Sequence, residues 1–497
     1  MPAEQSHVEL VDALVLVAYF LMTLGIGFYF WRKSRSVAGF TAGNGSMSGI
    51  LTGLSILGTY ISSISFLALP GKAFATNWNS FVFSLSIPVA AVIAVKWFMP
   101  FYRDRGEVSA YSHLEERFGR WARVYTSLCY LLTQVARIAT VTYLMALPVS
   151  VLLGVDIRLI ILVTGITTTV YTFAGGIVGV IWTDAIQTVI LILGALVCAG
   201  LMIFSLPGGA GQFLEAGLAY DKFSLGSFGP EVGESTFWVV LVYGLVINLQ
   251  NFGIDQNYVQ RYHASRSKAE AAKSIWIGGL IYLPVSALFF LIGTALFVYY
   301  ATFPENLPAA YREASAADSV FPWFIVTELP AGVRGLLIAS IFAAAMSTIS
   351  SSLNSSSTIV LNDYFALLRD FATSEKAKMR VLYGATVVFG VLGTSLALAL
   401  VNVPSILDAW WILAGTFGGG SFGLFLLGML SRTATGRDAI LAVLLGVVVI
   451  LWLTFSTLLE GFPEALRSPF HGFFTIVIGT ATILLTGFLS AACLRRG

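Results

Sequence analysis

The stretch Ala343-Ala344-Ala345-Met346-Ser347-Thr348-Ile349-Ser350-Ser351-Ser352-Leu353-Asn354-Ser355-Ser356-Ser357-Thr358 lies inside a long apolar segment and yet is mostly hydroxyl. In a lipid-spanning helix each polar side chain needs a partner in the protein interior, so such a run marks a face turned towards protein, water or an ion. Ser347, Ser350 and Ser351 fall on one face of that helix. Hydroxyls combined with free backbone carbonyls suit a hard cation such as sodium. The same hydroxyls also suit close helix packing, bonded back to the preceding turn. A second stretch, residues 47–73, bears on that choice: Gly45, Gly49, Gly53 and Gly58 precede Pro70-Gly71, with Ser55, Thr59, Ser62, Ser63 and Ser65 between them. This composition predicts a broken helix, and backbone unwound near Gly58 would offer carbonyls to a sodium ion.

Outward from these two stretches the chain is apolar almost throughout. Of 497 residues 57% are hydrophobic and only 11% charged, and the mean hydropathy is +0.84. A soluble domain carries closer to a quarter charged residues, so the fold class is an all-α polytopic membrane protein. A formal charge of +2 with no basic, aromatic-interleaved patch argues against a nucleic-acid partner. Cys129, Cys198 and Cys493 are few, far apart and set in apolar helix, which fits small buried hydrophobes. The N-terminal residues lack a basic region and a cleavage site, so residue 11 onward is expected to be a span rather than a signal peptide.

Apolar runs of about 20 residues occur at 11–31, 47–73, 81–102, 123–153, 159–173, 176–206, 237–254, 272–300, 335–361, 381–403, 406–430, 439–459 and 470–494, about 13 helices in all. Positive residues fall in alternate loops: Arg32, Lys33 and Arg35; Arg103 to Arg123; Arg261, Arg266, Lys268 and Lys273; Arg369 to Arg380; Arg432 and Arg437; Arg495 and Arg496. The other loops hold little beyond Lys222, Arg312 and Arg334. By the positive-inside rule the N-terminus is outside and the C-terminus cytoplasmic. Spans two to six and seven to eleven then form two sets of five with opposite orientation, an arrangement that places solute and ion sites near the midplane. The expected organisation is one transporter domain over 1–497: a leading helix at 11–31, repeats at 47–206 and 237–431, and two further helices at 439–494.

Asp184 and Arg137 are charged residues set well inside their spans. Asp184 sits about 8 residues, roughly 12 Å, from the cytoplasmic end of its span, at the depth of Ser350 and Ser351. It is either a ligand of a second cation or a structural carboxylate bonded to neighbouring hydroxyls. Arg137 lies about 14 residues, roughly 20 Å, into the fourth span, beside Gln134, Thr140 and Thr142. Its partner is either Asp184 or the carboxylate of a bound solute. His7, His113, His263 and His471 lie outside or at the ends of spans and form no paired ligands, so no enzyme site is proposed. The absence of a Walker A sequence argues against direct ATP drive. Trp78, Tyr299-Tyr300 and Trp410-Trp411 are read as interface anchors.

These residues resemble the sodium/solute symporter family, which includes the sodium/glucose cotransporters and the bacterial sialic acid symporters. The match runs from about residue 11 to 431. It rests on Gly175-Gly176 with Trp182-Thr183-Asp184 and Gln187, Asp255-Gln256 with Gln260-Arg261-Tyr262, Phe342 to Ala345 with Ser347 to Ser352, and Gly423 to Gly428. The resemblance implies a LeuT-like 5+5 inverted repeat with an extra N-terminal helix, alternating access, and Na+, one or two ions, driving solute uptake. It puts a first sodium site on the carbonyls of Gly58, Ile61 and Ala344 with the hydroxyls of Ser347 and Thr348, and a second on Asp184, Ser347, Ser350 and Ser351. The similarity is greatest to the sialic acid branch, in which Arg137 would hold the carboxylate and Ser62 and Ser65 the rest of the acid. Tyr60, Ser80 and Ser84 stand where that branch has Thr, Phe and Gln.

The expectation is therefore a sodium symporter of the bacterial inner membrane importing a carboxylate-bearing sugar acid such as sialic acid, with Tyr60, Ser62, Ser65, Ser84, Arg137 and Asn251 around the solute. Alternatives are a sodium/sugar symporter of the glucose or galactose type, using amides among Asn248, Gln250 and Asn251, or a monocarboxylate symporter. A passive facilitator remains open within the same fold. A channel would need a continuous polar pore, whereas the polar residues here cluster at the midplane; a sensor would need more chain than 494–497 beyond the last span. The expected partners are solute, Na+ and lipid, with no obligatory protein partner.

Overall fold

In hydrocarbon a backbone amide finds no water, so apolar runs become helices that satisfy their own hydrogen bonds. The computed structural model describes residues 9–313, 316–365, 374–402, 406–459 and 461–493, with side chains at 64 and 402–417 set apart from that description. Among the described residues the chain is helical. Its main elements are α1 Leu10–Phe30, α2 Gly49–Tyr60, α3 Ser63–Ala75, α4 Asn79–Arg105, α5 Arg120–Leu153, α6 Ile157–Phe204 and α7 Phe237–Ile254. They continue with α8 Gln256–Ala264, α9 Lys268–Thr302, α10 Val333–Ile359, α11 Glu375–Ala399, α12 Ile406–Leu430, α13 Gly436–Leu458 and α14 Phe474–Cys493. His7, Arg369, Arg495, Arg496 and the side chains of Trp410 and Trp411 lie outside the described residues.

The hydroxyl-rich stretch is in α10, which packs against α6, α5, α1 and α11. The apolar window of its span is 94% buried, against 28% for α1, so α10 is a central element and α1 a lipid-facing one. Several of its hydroxyls bond to carbonyls one turn back, as Thr348 does to Ala344 O at 3.2 Å. Small side chains of this kind let neighbouring helices approach closely where lipid gives no hydrophobic drive to association.

Two spans are broken. Between α2 and α3 the chain bends by 56°: Ile61 is extended (φ −89°, ψ 108°), and Ser62, also extended, starts α3 as its N-cap by accepting from Ser65 N. Between α7 and α8 the break is one residue, Asp255 (φ −73°, ψ 118°), whose carboxylate caps α8 by accepting from Asn257 N at 2.8 Å. The second break was not expected; residues 255–264 read as the start of a charged loop. The same ends of the two spans are joined by backbone, with Met47 N donating to Ala264 O at 2.9 Å and Arg266 N to Met47 O at 3.0 Å. Arg103 Nη1 adds bonds to the carbonyls of Tyr262, His263 and Ser265.

Ten described helices are long and apolar enough to cross a membrane, or eleven if α2 and α3 form one bent span. The expected count of 13 differs in two places. α6 has 48 residues, which as a straight rod would measure about 72 Å, over twice the hydrocarbon thickness. It is interrupted at Gly176 (φ +49°, ψ −156°), where the sequence separates spans five and six. A Cβ there would meet Phe40 at 2.9 Å and strain the left-handed backbone. The other place is α12, of which Gly418–Leu430 counts as a shorter apolar helix.

Three smaller expectations change. Cys129 and Cys198 are buried, but Cys493 is exposed. Tyr299 and Tyr300 are buried at the end of α9, with Tyr299 Oη donating to Glu328 Oε2 at 2.6 Å. Trp78 is half-buried among Phe81, Phe223 and Phe290, with its Nε1 on Thr294 Oγ1 at 3.0 Å. These rings pack against protein rather than standing at the surface.

Candidate functional site

A cavity of about 700 Å3 runs from the two helix breaks to the loop between α13 and α14, where His471 and Phe473 line it. Burial lowers the His471 imidazole below its usual range, so it lines the wall uncharged at neutral pH. All six residues expected around a solute reach this cavity: Tyr60, Ser62, Ser65, Ser84, Arg137 and Asn251. Tyr60 Oη donates to Asn248 Oδ1 at 3.2 Å, Ser62 and Ser65 hydroxyls lie 3.5 Å apart, and Ser84 Oγ donates to Ser286 Oγ at 2.8 Å. Of the amides offered for sugar recognition, Gln250 and Asn251 line the cavity. Asn248 does not: it is fully buried, with Nδ2 on Ser86 Oγ at 2.9 Å, and it positions Tyr60.

Tyr130, Gln134, Arg137 and Val141 form one face of α5 towards the cavity. Arg137 Nη2 donates to Thr59 O at 3.2 Å, and Nη1 lies 3.8 Å from Asp255 Oδ2. The expected protein partner, Asp184, is therefore replaced by Asp255. Sequence spacing could not have paired them, because it takes the unforeseen break in the seventh span to turn Asp255 into the cavity. The Oε1 of Gln134 is buried without a hydrogen-bond partner among the described residues.

Four of the five oxygens expected to hold the first ion, those of Gly58, Ala344, Ser347 and Thr348, converge where α2 ends against α10. Helix termination leaves the last carbonyls of α2 without intrahelical donors. Gly58 O accepts instead from Ser347 Oγ at 3.1 Å, and the same hydroxyl lies 3.2 Å from Ala344 O, which Thr348 Oγ1 also reaches at 3.2 Å. Gly58 itself belongs to α2 rather than to unwound chain; the break falls three residues later, with Ile61 inside it. A Cβ on Gly58 would stand 2.5 Å from Thr188 Oγ1, so glycine permits the contact between α2 and α6.

The second group is also assembled, with an occupant the sequence did not announce. Asp184 Oδ1 accepts from Ser350 Oγ at 3.2 Å, and Ser350 Oγ also lies 3.1 Å from Ser347 O. Oδ2 takes Ser55 Oγ at 2.8 Å, Arg261 Nη2 at 2.6 Å and Ser351 Oγ at 3.3 Å. Arg261, counted above among loop charges, is fully buried. It also donates to Ser55 Oγ, Asn257 O and Ser351 Oγ at 2.6–2.8 Å. Its signal was present in the sequence, since the N-cap residue Asp255 opens a helix that carries Arg261 inward.

A family model described as the sodium:solute symporter family matches residues 40–446. The chain belongs to this family. Among its members the chain is similar to the sodium/sialic acid symporter NanT of Aliivibrio fischeri, 34% identical over 490 residues, covering 98% of this chain and 94% of the relative. A solved structure of a Na+-coupled sialic acid symporter, in a substrate-bound outward-open state with a novel Na+ site, superposes with a TM-score of 0.90 at 31% identity over 98% of each chain. The nucleobase-cation symporter Mhp1 in a closed conformation shares the fold at a TM-score of 0.58 and 14% identity, over 92% of this chain and 95% of that one. The fold is thus the LeuT-like one, and the chain is a transporter rather than an enzyme, a multi-pass membrane protein of a family whose coupling ion is Na+. Residues beside the break in the span that begins each expected set of five, Tyr60 and Ser62 in one and Ile254 and Asp255 in the other, line the cavity.

Proposed function

We propose that this symporter imports sialic acid (N-acetylneuraminate) across the bacterial inner membrane, driven by downhill Na+ through alternating access. The observation that carries the reading is the Arg137 guanidinium, which faces the cavity between the two breaks with one carboxylate no nearer than 3.8 Å. A planar fork with open N–H groups suits a solute carboxylate, and the sialic acid symporters named above support that choice of acid. Ser62, Ser65, Tyr60, Ser84 and Asn251 would orient the remainder of the molecule. The first sodium would lie among Gly58, Ile61, Ala344, Ser347 and Thr348. A second would lie against Asp184 with Ser347, Ser350 and Ser351; the Ser350 hydroxyl is on Oδ1, whereas that of Ser351 shares Oδ2 with Arg261. The organisation proposed is 13 spans with repeats at 47–206 and 237–431, the N-terminus outside and the C-terminus cytoplasmic.

Uptake of labelled N-acetylneuraminate into proteoliposomes tests this. Accumulation should require an inward Na+ gradient, with a Hill slope above one if two ions are coupled. Equal uptake in K+ ends the coupling reading, and a Hill slope of one counts against the second ion. A neutral sugar is the second reading, favoured by Gln250 and Asn251 on the cavity wall. Competition of acid uptake by galactose, glucose and small monocarboxylates separates it.

A further inference from the structure

We propose that Asp255 is a resident carboxylate that holds Arg137 in the empty carrier and is displaced by the carboxylate of the solute, so that it sets the preference between acids and neutral solutes. The inference rests on the reading that Arg137 receives the solute's carboxylate.

Asp255 is fixed from behind. Its Oδ1 accepts from Asn257 N at 2.8 Å as the cap of α8 and lies 3.4 Å from Tyr130 Oη. Only Oδ2 is turned to Arg137, and at 3.8 Å it is an ion pair beyond hydrogen-bond reach. The two side chains are 14% and 19% exposed, and both line the cavity. A solute carboxylate is free to approach the guanidinium at the roughly 2.7–2.9 Å of a two-pronged pair, a geometry that the anchored Asp255 does not reach. The protein groups paired with the fork are both acceptors, Asp255 Oδ2 and Thr59 O. An entering acid therefore meets like charge from Asp255 at the moment it pairs with Arg137. A neutral sugar meets none and can donate a hydroxyl to Asp255, leaving Arg137 as it is.

The test uses the purified full-length protein in Na+, with binding of N-acetylneuraminate and of its neutral methyl ester measured by calorimetry. The variants are Asp255→Asn, Asp255→Ser and Arg137→Lys. Asn and Ser are both good helix N-caps, so α8 keeps its start, and melting curves without ligand confirm that each variant is folded. Removing the resident charge should tighten the acid by about three- to ten-fold in both Asp255 variants, while the ester binds no better than to the unmodified protein. Acid affinity unchanged or weakened in both, or ester tightened as much as acid, overturns the proposal; if Arg137→Lys still loses the acid, the assignment of Arg137 stands. Acid binding unaffected by Arg137→Lys would instead remove that assignment, and this inference with it.

Discussion

Two arginine–aspartate pairs involve the break between α7 and α8, one through Asp255 at the break and one through Arg261 on α8, and they are built for opposite purposes. Arg261 and Asp184 meet at 2.6 Å with side chains 1% and 0% exposed, and the guanidinium is further bonded to α2, α10 and its own helix. Arg137 and Asp255 stand 3.8 Å apart at the cavity wall, and among the described residues the guanidinium makes a single hydrogen bond, to Thr59 O. The same two residue types thus make a clamp in one place and a receptor in the other. The difference lies in how many N–H groups are already used and whether a third molecule can reach the rest. A charge buried with all its partners is costly to disturb, whereas a charge left partly open in a cavity can exchange partners.

The largest expected effect breaks the clamp. Arg261→Gln leaves Asp184 buried without a cation, at about 3–5 kcal/mol, and should appear as a steep fall in melting temperature or in folded yield. Adding Asp184→Asn in the same chain should restore most of that loss. A single variant that melts like the unmodified protein would mean that the pair clamps nothing.

Arg137→Lys separates the two pairs by readout. It should weaken binding of the acid by about ten- to a hundred-fold, because a point charge replaces a fork, with melting nearly unchanged. A large drop in stability instead would make Arg137 a second clamp. Gly58→Ala comes next: its Cβ would press on Thr188 Oγ1 at 2.5 Å and approach Asp184 O at 3.3 Å, an overpacking of about 1–3 kcal/mol that should also raise the sodium needed for half-maximal uptake. The smallest effect is Ser347→Ala, which removes one hydroxyl bonded to Gly58 O and about 1 kcal/mol. Its signature is a shift in sodium dependence, with acid affinity at saturating sodium retained.

Much of this was legible in the chain itself. Apolar runs gave the helices, the serines of α10 gave its central position, and Gly175-Gly176 marked the interruption that the structure carries at Gly176. The break in the second span was foreseen from its glycines and hydroxyls, although it falls at Ile61–Ser62 and not at Gly58. Asp255, Gln256, Gln260 and Arg261 were harder, because a polar run after an apolar one reads as an exit from the membrane. Here it is a short buried helix, some of whose polar groups are bonded by other elements, as Gln260 Nε2 is by Thr41 O and Asn354 Oδ1, while the Asn257 side-chain amide and His263 Nε2 are buried without a partner among the described residues. Which carboxylate faces which guanidinium depends on how separate helices pack, and spacing along one helix does not carry that information. Asn248 was misjudged for the same reason: its neighbours in space are Tyr60 and Ser86, not solvent.

The backbone bonds between Met47 and the chain after α8 yoke the stems of the two interrupted spans. Neither stem can swing away from the bundle without dragging the other. A motion that keeps these bonds would carry both stems together and bend at Ile61–Ser62 and at Asp255, and Ser62 and Asp255 both line the cavity where cargo would rest. Whatever settles between them touches both hinges at once, and so can govern the swing that releases it.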